Sequence, residues 1–175
     1  VSNESLCLEL ANVIGIPSAN AIESSAGNVE YILVERYDRI KRESKYPQRV
    51  HQEDFCQALG IPPELKYQRE GGPSLQDCFS LIRDASSFPA IAIQHLLNTV
   101  IFNLIIGNHD AHSKNFSLLY EVANGEVFTK VAPAYDLLST VYYKELSPKM
   151  AMKIGKEYES NKVNLKNIER FAIDA

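Results

Sequence analysis

The sequence has few cysteines, and their spacing argues against two classes of protein. Only three occur among the 175 residues, Cys7, Cys56 and Cys78, and none belongs to a Cys-x-x-Cys pair. An odd number of isolated cysteines is typical of reduced, buried thiols, and it argues against a disulfide framework or a zinc site. Because thiols remain reduced in the cytosol, this pattern predicts a cytoplasmic protein.

The sequence also lacks an excess of basic residues and an uninterrupted apolar run. Its net charge is −4 and its pI about 5.6, which argues against a free-standing nucleic-acid binder but not against a partner that contacts DNA on its behalf. The longest apolar stretch, residues 88–106, is interrupted by Gln94, His95, Asn98 and Asn103. A membrane span needs ~20 largely apolar residues, so we expect a buried helix and no membrane contact.

The residues that are present support a packed α+β fold. Hydrophobic residues make up 45% of the chain, which is enough for a core. Capping residues, prolines, glycines and Gly-Asn or Asn-Gly turns mark the ends of the elements. The predicted helices span residues 4–14, 52–59, 75–86, 89–106 and 165–173. The predicted strands span residues 19–24, 29–37, 116–120, 127–132 and 149–154. This order indicates an α+β fold dominated by helices.

Three of these segments carry more specific predictions. Asn3 is the expected N-cap of the first helix. Four apolar residues share one face of that helix: Leu6, Leu10, Val13 and Ile14. The charged run over residues 38–49 is typical of a solvated loop. Residues 52–54 are interpreted as polar residues in the first turn of the second helix, and the alternative is a contact with the substrate.

The stretch 107-GNHDAHSKN-115 crowds polar side chains between two apolar segments. Asn115 follows Asp110 by five residues, and Asp136 lies 21 residues further on, beyond a predicted hairpin. This spacing is typical of kinase-type phosphoryl transfer, in which the first aspartate orients or accepts the proton of the attacking hydroxyl. The asparagine and the second aspartate hold Mg²⁺, a hard cation that prefers oxygen ligands, against the phosphates of ATP.

Three other side chains of this stretch, Lys114, His112 and His109, are also assigned roles. Lys114 is predicted to face the transferred phosphoryl group or its neighbouring acid, and the alternative is a solvated lysine beside a loop. His112 either braces the loop through backbone hydrogen bonds or contacts the substrates, and we place it with the candidate cofactor-binding residues. His109 is interpreted as part of the scaffold.

The tetrapeptide 107-GNHD-110 also occurs in calcineurin-like metallophosphoesterases. Those enzymes need an upstream Asp-x-His, a Gly-Asp-x-x-Asp segment and a downstream Gly-His-x-His for a two-metal centre. The sequence has none of these at a suitable spacing, and the run before Gly107 is long enough to be a helix. The phosphatase interpretation is therefore disfavoured.

Five segments together resemble HipA-like serine/threonine kinases, the toxins of HipA–HipB toxin–antitoxin modules. The segments are 31-YILVERYDR-39, 51-HQEDFCQALGIPP-63, 67-YQREGGPS-74, 102-FNLIIGNHDAHSKNFSLLY-120 and 132-APAYDLLS-139. The resemblance implies a two-lobed protein-kinase-like fold that uses ATP and Mg²⁺. It matches Asp110 to the catalytic aspartate, and it matches Asn115 and Asp136 to the metal ligands.

The resemblance also implies an adenine site and biological partners. The segment over residues 33–39 matches the hinge between the lobes, where the backbone around Glu35, Arg36 and Tyr37 would bind the adenine edge of ATP. Family members act in the bacterial cytoplasm, phosphorylate protein serines and pair with a small DNA-binding antitoxin. The implied protein substrate is of the aminoacyl-tRNA synthetase type, and DNA is contacted only indirectly, through the antitoxin.

The sequence departs from a complete kinase before the hinge. A kinase needs a Gly-rich loop over the phosphates and a strand lysine, and neither precedes the hinge segment here. We therefore expect a C-terminal portion, with residues 1–38 forming the end of the N-lobe and the hinge, and residues 39–175 forming the C-lobe. This portion alone is expected to be inactive or nearly so. Two alternatives remain, namely a non-catalytic truncated module that binds a partner and a small-molecule kinase of the aminoglycoside phosphotransferase type.

Overall fold

The computed structural model describes residues 1–40 and 46–174, and this part of the chain mixes helices with antiparallel strands. The helices are α1 (Ser2–Val13), α2 (Phe55–Ala58), α3 (Leu75–Ala85), α4 (Pro89–Ile106) and α5 (Leu165–Asp174). The strands are β1 (Ala21–Ala26), β2 (Val29–Val34), β3 (Arg39–Ile40), β4 (Gln48–Arg49), β5 (His51–Asp54), β6 (Ser117–Ala123), β7 (Glu126–Val131), β8 (Lys149–Ile154) and β9 (Glu157–Glu159). The architecture is therefore α+β.

Local sequence signals set the ends of α3 and α4. In the capping box of α3, the Ser74 amide donates to Asp77 Oδ2 over 2.8 Å and the Asp77 amide donates to Ser74 Oγ over 3.2 Å. Helix α4 begins at Pro89, whose fixed φ suits a first turn, and it ends at Gly107, whose φ of 70° is left-handed. Both helices lie where the sequence predicts them.

The two hairpins form at the predicted turns, but one predicted helix is partly wrong. Strand β1 pairs with β2, and β6 pairs with β7 around the Asn124-Gly125 turn. Strand β5 extends the second hairpin into a three-stranded antiparallel sheet, in which Gln52 lies opposite Leu119 of β6. The helix predicted over residues 52–59 is therefore wrong over its first half, because residues 51–54 form β5 and only α2 is helical.

Helix α1 buries a face other than the one that carries most of its large apolar residues. The buried residues are Ser5, Cys7, Leu8 and Ala11. The predicted apolar face, formed by Leu6, Leu10, Val13 and Ile14, is exposed. The prediction that Asn3 is the N-cap is wrong, because Asn3 lies inside the helix and Val1 is the N-cap. The Asn3 side chain instead exchanges two hydrogen bonds, of 2.9 and 2.8 Å, with the backbone of Ser139.

Two groups of buried side chains meet on α4. The main core joins α3, α4 and β8, and it includes Phe79, Leu96 and Met152. A second group joins α1 to α4 and to the segment after β7, through Leu8 and Phe102 among others. Among the described residues, α4 alone is long and apolar enough to cross a membrane, but the core helix of a water-soluble protein passes the same test. The expected buried helix is confirmed only for the face of α4 that packs in these groups, because Ile91, Ile101 and Ile105 on its other side are exposed.

The charged run begins with a buried carboxylate. Asp38 is 1% exposed and accepts hydrogen bonds from Arg36 and Arg39. Beyond it, β3 pairs with β4. Residues 41–45, which separate the two strands in the sequence, lie outside the described residues. The prediction of a solvated loop over residues 38–49 is therefore wrong at Asp38 and at the two paired strands.

Candidate functional site

A network of buried polar side chains fixes the loop that carries Asp110. Asn108 Nδ2 donates to Asn103 Oδ1 of α4 over 2.9 Å, and the Asp110 amide donates to Asn108 Oδ1 over 3.2 Å. The His109 amide donates to Thr140 Oγ1 over 2.7 Å. Because a buried polar group without a partner is costly, these bonds favour one conformation of the loop. Asp110 therefore has a defined position just beyond the end of α4.

Asn115 and Asp136 meet although a hairpin separates them in the sequence. Asn115 ends a 3₁₀ turn, Ser113–Asn115, and its Nδ2 donates to Asp136 Oδ2. Asp136 has a left-handed φ of 55°, which is uncommon for a residue other than glycine, and its carbonyl accepts from Asn108 Nδ2 over 3.3 Å. Asp110 and Asp136 line one cavity of about 340 Å³. The three residues selected by spacing therefore lie around one site.

A further carboxylate, Glu4 of α1, approaches the same site from the N-terminal end of the chain. Burial raises the pKa of Glu4, and the charge of Asp136 raises it further. The bonds between Asn3 and Ser139 hold α1 against the segment that follows Asp136. Sequence reasoning missed Glu4, because only the fold brings the first helix next to a residue so much later in the chain.

The oxygen-bearing side chains at this site would suit Mg²⁺ better than zinc. Within residues 1–40 and 46–174, no three His, Cys, Asp or Glu side chains are placed to hold one metal ion. Mg²⁺ needs fewer protein ligands, because it keeps several waters and shares the phosphates of a nucleotide. The Asp136 carboxylate and the Asn115 amide oxygen would hold it, once the amide turns its oxygen rather than Nδ2 toward Asp136. The neighbouring charges of Asp110 and Glu4 also favour a cation here.

The ammonium group of Lys114 is held on the side of the site that faces α2. Its Nζ forms an ion pair of 2.6 Å with Asp54, the N-cap of α2. The Lys114 carbonyl accepts from the Tyr135 hydroxyl over 2.7 Å. In the described part of the chain, no hydrogen bond or ion pair joins Lys114 to Asp110 or Asp136. The catalytic role of Lys114 stays a prediction.

His112 is buried beside Asp110 with one ring nitrogen unused. Its amide donates to the Asp110 carbonyl over 2.8 Å and to Asn115 Oδ1 over 3.2 Å. Burial lowers the pKa of His112, and the charge of Lys66 lowers it further, so that the ring is neutral at pH 7. Its Nδ1 is buried and has no partner among the described residues. A free nitrogen at this place supports a contact with a bound substrate, which stays a prediction.

Sequence reasoning also missed Tyr67, which reaches Asp110 from the loop between α2 and α3. Its hydroxyl donates to Asp110 Oδ1 over 2.7 Å. Its ring packs edge-on against His112, with ring centroids 5.5 Å apart. Burial, together with the hydrogen bond to Asp110, raises the pKa of Tyr67 to about 12, so the hydroxyl keeps its proton at neutral pH. The only sequence signal for this loop was the segment 67–74, through its family resemblance.

The first two candidate adenine-binding residues lie where the chain leaves β2. The Glu35 amide donates to the Asn20 carbonyl over 2.8 Å, which continues the pairing of the β1–β2 hairpin. The Arg36 side chain is taken up by its ion pair with Asp38. The hinge prediction is that the backbone of these residues contacts adenine. For Glu35 and Arg36, that contact would have to use backbone groups other than the Glu35 amide.

Tyr37, the third candidate, links the predicted hinge to the site. Its ring stacks with that of Tyr135, the neighbour of Asp136, with centroids 6.0 Å apart. Burial raises the pKa of Tyr37, so this hydroxyl is also protonated at neutral pH. Over the described residues, no hydrogen bond uses the Tyr37 amide, which leaves a donor free for the edge of a ligand. The roles of Glu35, Arg36 and Tyr37 stay predictions.

Comparison with known proteins identifies the family. The model of the HipA-like C-terminal domain matches residues 1–174. The chain belongs to this family. It is 49% identical over 173 residues to a Sinorhizobium fredii protein named "Putative kinase Y4mE", a match that covers 99% of this chain and 40% of that protein. It is 34% identical over 177 residues to the Shewanella oneidensis "Serine/threonine-protein kinase toxin HipA", covering 93% of this chain and 39% of the toxin.

Solved structures show the same fold. The Shewanella oneidensis HipA structure, determined in complex with HipB and operator DNA, matches with a TM-score of 0.90 and 31% identity, over 98% of this chain and 42% of that one. The Helicobacter pylori proinflammatory kinase CtkA matches with a TM-score of 0.63 and 15% identity, over 99% of this chain and 66% of that one. The second likeness shows the fold alone.

These comparisons confirm part of what the sequence predicted. The HipA resemblance and the α+β, protein-kinase-like fold are confirmed. The relatives bear the names of kinases, so the family is of the kinase type. The chain spans about 40% of the length of these two relatives. The lobe boundary between residues 38 and 39 stays a prediction.

Proposed function

We propose that this chain forms the catalytic part of a HipA-like kinase that transfers the γ-phosphoryl group of ATP to a serine or threonine of a protein. The observation that carries the proposal is that Asp110 and Asp136 line one cavity and that Asn115 is hydrogen-bonded to Asp136. Phosphoryl transfer depends mainly on positioning and on charge stabilisation, so it needs few protein side chains. One carboxylate for the hydroxyl proton and an Asn–Asp pair for Mg²⁺ meet that need.

In the proposed reaction, Asp110 orients the substrate hydroxyl and takes its proton. The hydroxyl oxygen forms a bond to the γ-phosphorus, the bond from that phosphorus to the bridging oxygen breaks, and ADP leaves. Mg²⁺ supplies charge neutralisation for the phosphates when it is bound. Asp136 keeps its place relative to Asp110 because Asn108 is hydrogen-bonded to both, and Asn115 is in turn hydrogen-bonded to Asp136. To reach the phosphoryl group, Lys114 would have to leave its ion pair with Asp54.

We also propose partners and a location. The substrate is a protein, of the aminoacyl-tRNA synthetase type, and a small antitoxin neutralises the kinase and contacts DNA on its behalf. The HipA structure from Shewanella oneidensis, which contains HipB and operator DNA, supports the antitoxin. The three cysteines are buried and unpaired, which supports the bacterial cytoplasm as the location.

The chain is further proposed to act as part of a longer protein and to be inactive by itself. Its relatives are much longer than the matched region. Helix α1 and the β1–β2 hairpin also expose large apolar side chains, including Leu6, Val13, Ile22 and Leu33. Contiguous exposed apolar surface is typical of a contact with another protein surface. We propose that the remainder of the longer protein covers it.

The test is a phosphotransfer assay on the full-length protein that contains this chain. Asp110→Asn removes the proton acceptor without changing the shape of the side chain, and we expect the rate to fall by about 10²–10⁴-fold. Asp84→Asn on the exposed surface of α3 is the matched control, and its rate should not change. Full activity of Asp110→Asn would refute the proposed site. Transfer to small molecules alone would favour the aminoglycoside-type kinase, and partner binding without any transfer would favour the non-catalytic module.

A further inference from the structure

The loop that carries Tyr67 is closed by backbone hydrogen bonds and is tied to β8 through the side chain of Gln68. The Tyr67 carbonyl accepts from the amides of Glu70 over 2.9 Å and of Gly72 over 3.0 Å. The neighbouring Gln68 Oε1 accepts from the amide of Lys153 in β8 over 2.9 Å. Because both the turn and its anchor on β8 are hydrogen-bonded, the Cα of Tyr67 has a defined position relative to the site.

Gly72 shows how tightly this turn is packed. A Cβ atom at position 72 would lie 2.2 Å from the carbonyl oxygen of Leu65 and 2.8 Å from that of Tyr67. Both neighbours are backbone atoms, which cannot move aside without shifting the loop. Only glycine therefore allows the close turn that directs Tyr67 toward Asp110.

The side chain of Tyr67 makes contacts on three sides. Its hydroxyl donates to Asp110 Oδ1, its ring edge packs on His112, and Lys66 Nζ lies 4.9 Å from the centroid of the ring. The hydroxyl keeps its proton at neutral pH, so it acts as a donor and not as a base. The other oxygen of the carboxylate, Asp110 Oδ2, has no hydrogen-bond partner in residues 1–40 and 46–174.

We propose that Tyr67 is a positioning residue for phosphoryl transfer: its hydroxyl fixes the Asp110 carboxylate through Oδ1 and leaves Oδ2 to receive the proton of the substrate hydroxyl. The inference rests on the proposed function, in which Asp110 is the proton acceptor. A carboxylate on a loop can otherwise rotate, and misplacing a reacting group by about 1 Å can cost about 10²-fold in rate. Tyr67 acts through Asp110 and does not itself take part in bond making.

The test compares Tyr67→Phe with the parent enzyme in steady-state phosphotransfer by the full-length protein. Loss of the hydroxyl removes the bond to Asp110 and keeps the ring against His112. We expect kcat to fall by about 10- to 100-fold, with the KM values for ATP and for the protein substrate changed by less than about threefold. A residue that only stabilised the fold would lower the melting temperature without this separation of kcat from KM.

Tyr120→Phe is the matched control. The Tyr120 hydroxyl donates to Glu53 Oε2 over 2.7 Å, the same length of tyrosine–carboxylate bond, between β6 and β5. Its kcat should equal that of the parent enzyme. A second variant, Gly72→Ala, keeps the hydroxyl but displaces the turn, and its kcat should fall in the same direction as that of Tyr67→Phe.

The other outcomes would overturn the inference. An unchanged kcat in Tyr67→Phe would mean that Asp110 needs no such support. A higher kcat/KM would mean that the hydroxyl occupies the place of the substrate, and phosphate found on Tyr67 by mass spectrometry would mean that it is itself an acceptor. Asp110→Asn is measured in parallel: activity there refutes the proposed function, whereas inactivity there with a fully active Tyr67→Phe refutes only the positioning role.

Discussion

The loop that carries Asp110 and the N-terminal region formed by α1 and the β1–β2 hairpin distribute their side chains in opposite ways. The loop and its surroundings bury polar residues, namely Asn103, Asn108, His109, His112, Ser113, Asn115 and Thr140. The N-terminal region exposes apolar residues, namely Leu6, Leu10, Val13, Ile22, Val29 and Leu33. Both arrangements depart from the usual rule that apolar side chains lie inside and polar side chains outside.

This contrast in burial shows that the chain itself holds the loop of Asp110 in place but leaves the outer surface of the N-terminal region uncovered. Near Asp110, the geometry is fixed by two hydrogen bonds within the chain, one from the Asp110 amide to Asn108 and one from the Tyr67 hydroxyl to the Asp110 carboxylate. On α1, the inner face holds Glu4 near Asp136, whereas Leu6 and Val13 on the other face are 65% and 77% exposed. The residues proposed to accept the proton and to bind the metal therefore lie together in this chain, whereas the exposed apolar surface of α1 supports the proposed contact with further protein.

The largest expected effect on stability separates two neighbouring leucines of α1. Leu8 is 1% exposed and Leu6 is 65% exposed. Leu8→Ala should lower the free energy of unfolding by about 2–5 kcal/mol, because it leaves a cavity in the core. Leu6→Ala should change it by less than about 0.5 kcal/mol. Denaturant titrations measure both, and equal costs would contradict the assignment of the two faces of α1.

A smaller effect on stability is expected from a change in the hydrogen-bond network that holds the loop of Asp110. Asn108→Ala removes the bonds to Asn103, Asp110 and Asp136 and leaves buried polar groups without partners. We expect a loss of about 1–3 kcal/mol in the free energy of unfolding. Asn98→Ala, on the exposed side of α4, is the matched control and should be nearly neutral. If both variants unfold alike, the network does not hold the loop.

The smallest expected effect on stability comes from Asp38, the buried carboxylate at the start of the charged run. Two hydrogen bonds from Arg36, together with one from Arg39, lower the pKa of Asp38 to about 2. A carboxyl whose pKa is lowered by folding stabilises the protein above its unfolded pKa, and this contribution is lost as the pH falls toward 2. Asp38→Asn should therefore cost about 1 kcal/mol at pH 7, since the Arg36 side chain is largely exposed and screened by solvent.

The pH dependence of unfolding tests this expected stability cost of Asp38→Asn. The difference in stability between the parent protein and Asp38→Asn should shrink when unfolding is measured at successively lower pH between 4 and 2. A difference that stays constant over this range would mean that the ion pairs of Asp38 contribute nothing to folding.

Local signals explain which elements the sequence could predict. The Ser74–Asp77 capping box, Pro89 and the Asn124-Gly125 turn each act over a few residues, and the elements that they mark lie where they were predicted. Strand β5 was missed because its conformation depends on pairing with β6, far along the chain. The buried face of α1 was missed for the same reason, since its partners Phe102 and Leu137 are distant in sequence.

The residues of the candidate site also divide into those that a local sequence pattern could select and those that only the fold brings together. The spacing of Asp110, Asn115 and Asp136 follows a loop and one hairpin, so sequence alone could select all three residues. Tyr67 and Glu4 come from other elements, and no local pattern connects either residue with its carboxylate partner. The catalytic role predicted for Lys114 stays a prediction, and sequence could not reveal that Asp54 holds its ammonium group.

The most direct test of the central claim measures nucleotide binding and phosphotransfer side by side in two variants of the full-length protein. Asp136→Asn should lose both Mg²⁺-dependent ATP binding, followed by calorimetry, and transfer, because it removes a metal ligand. Asp110→Asn should keep ATP binding and lose transfer, because it removes only the proton acceptor. The opposite pattern, with binding lost in Asp110→Asn and retained in Asp136→Asn, would contradict the roles assigned to these two carboxylates.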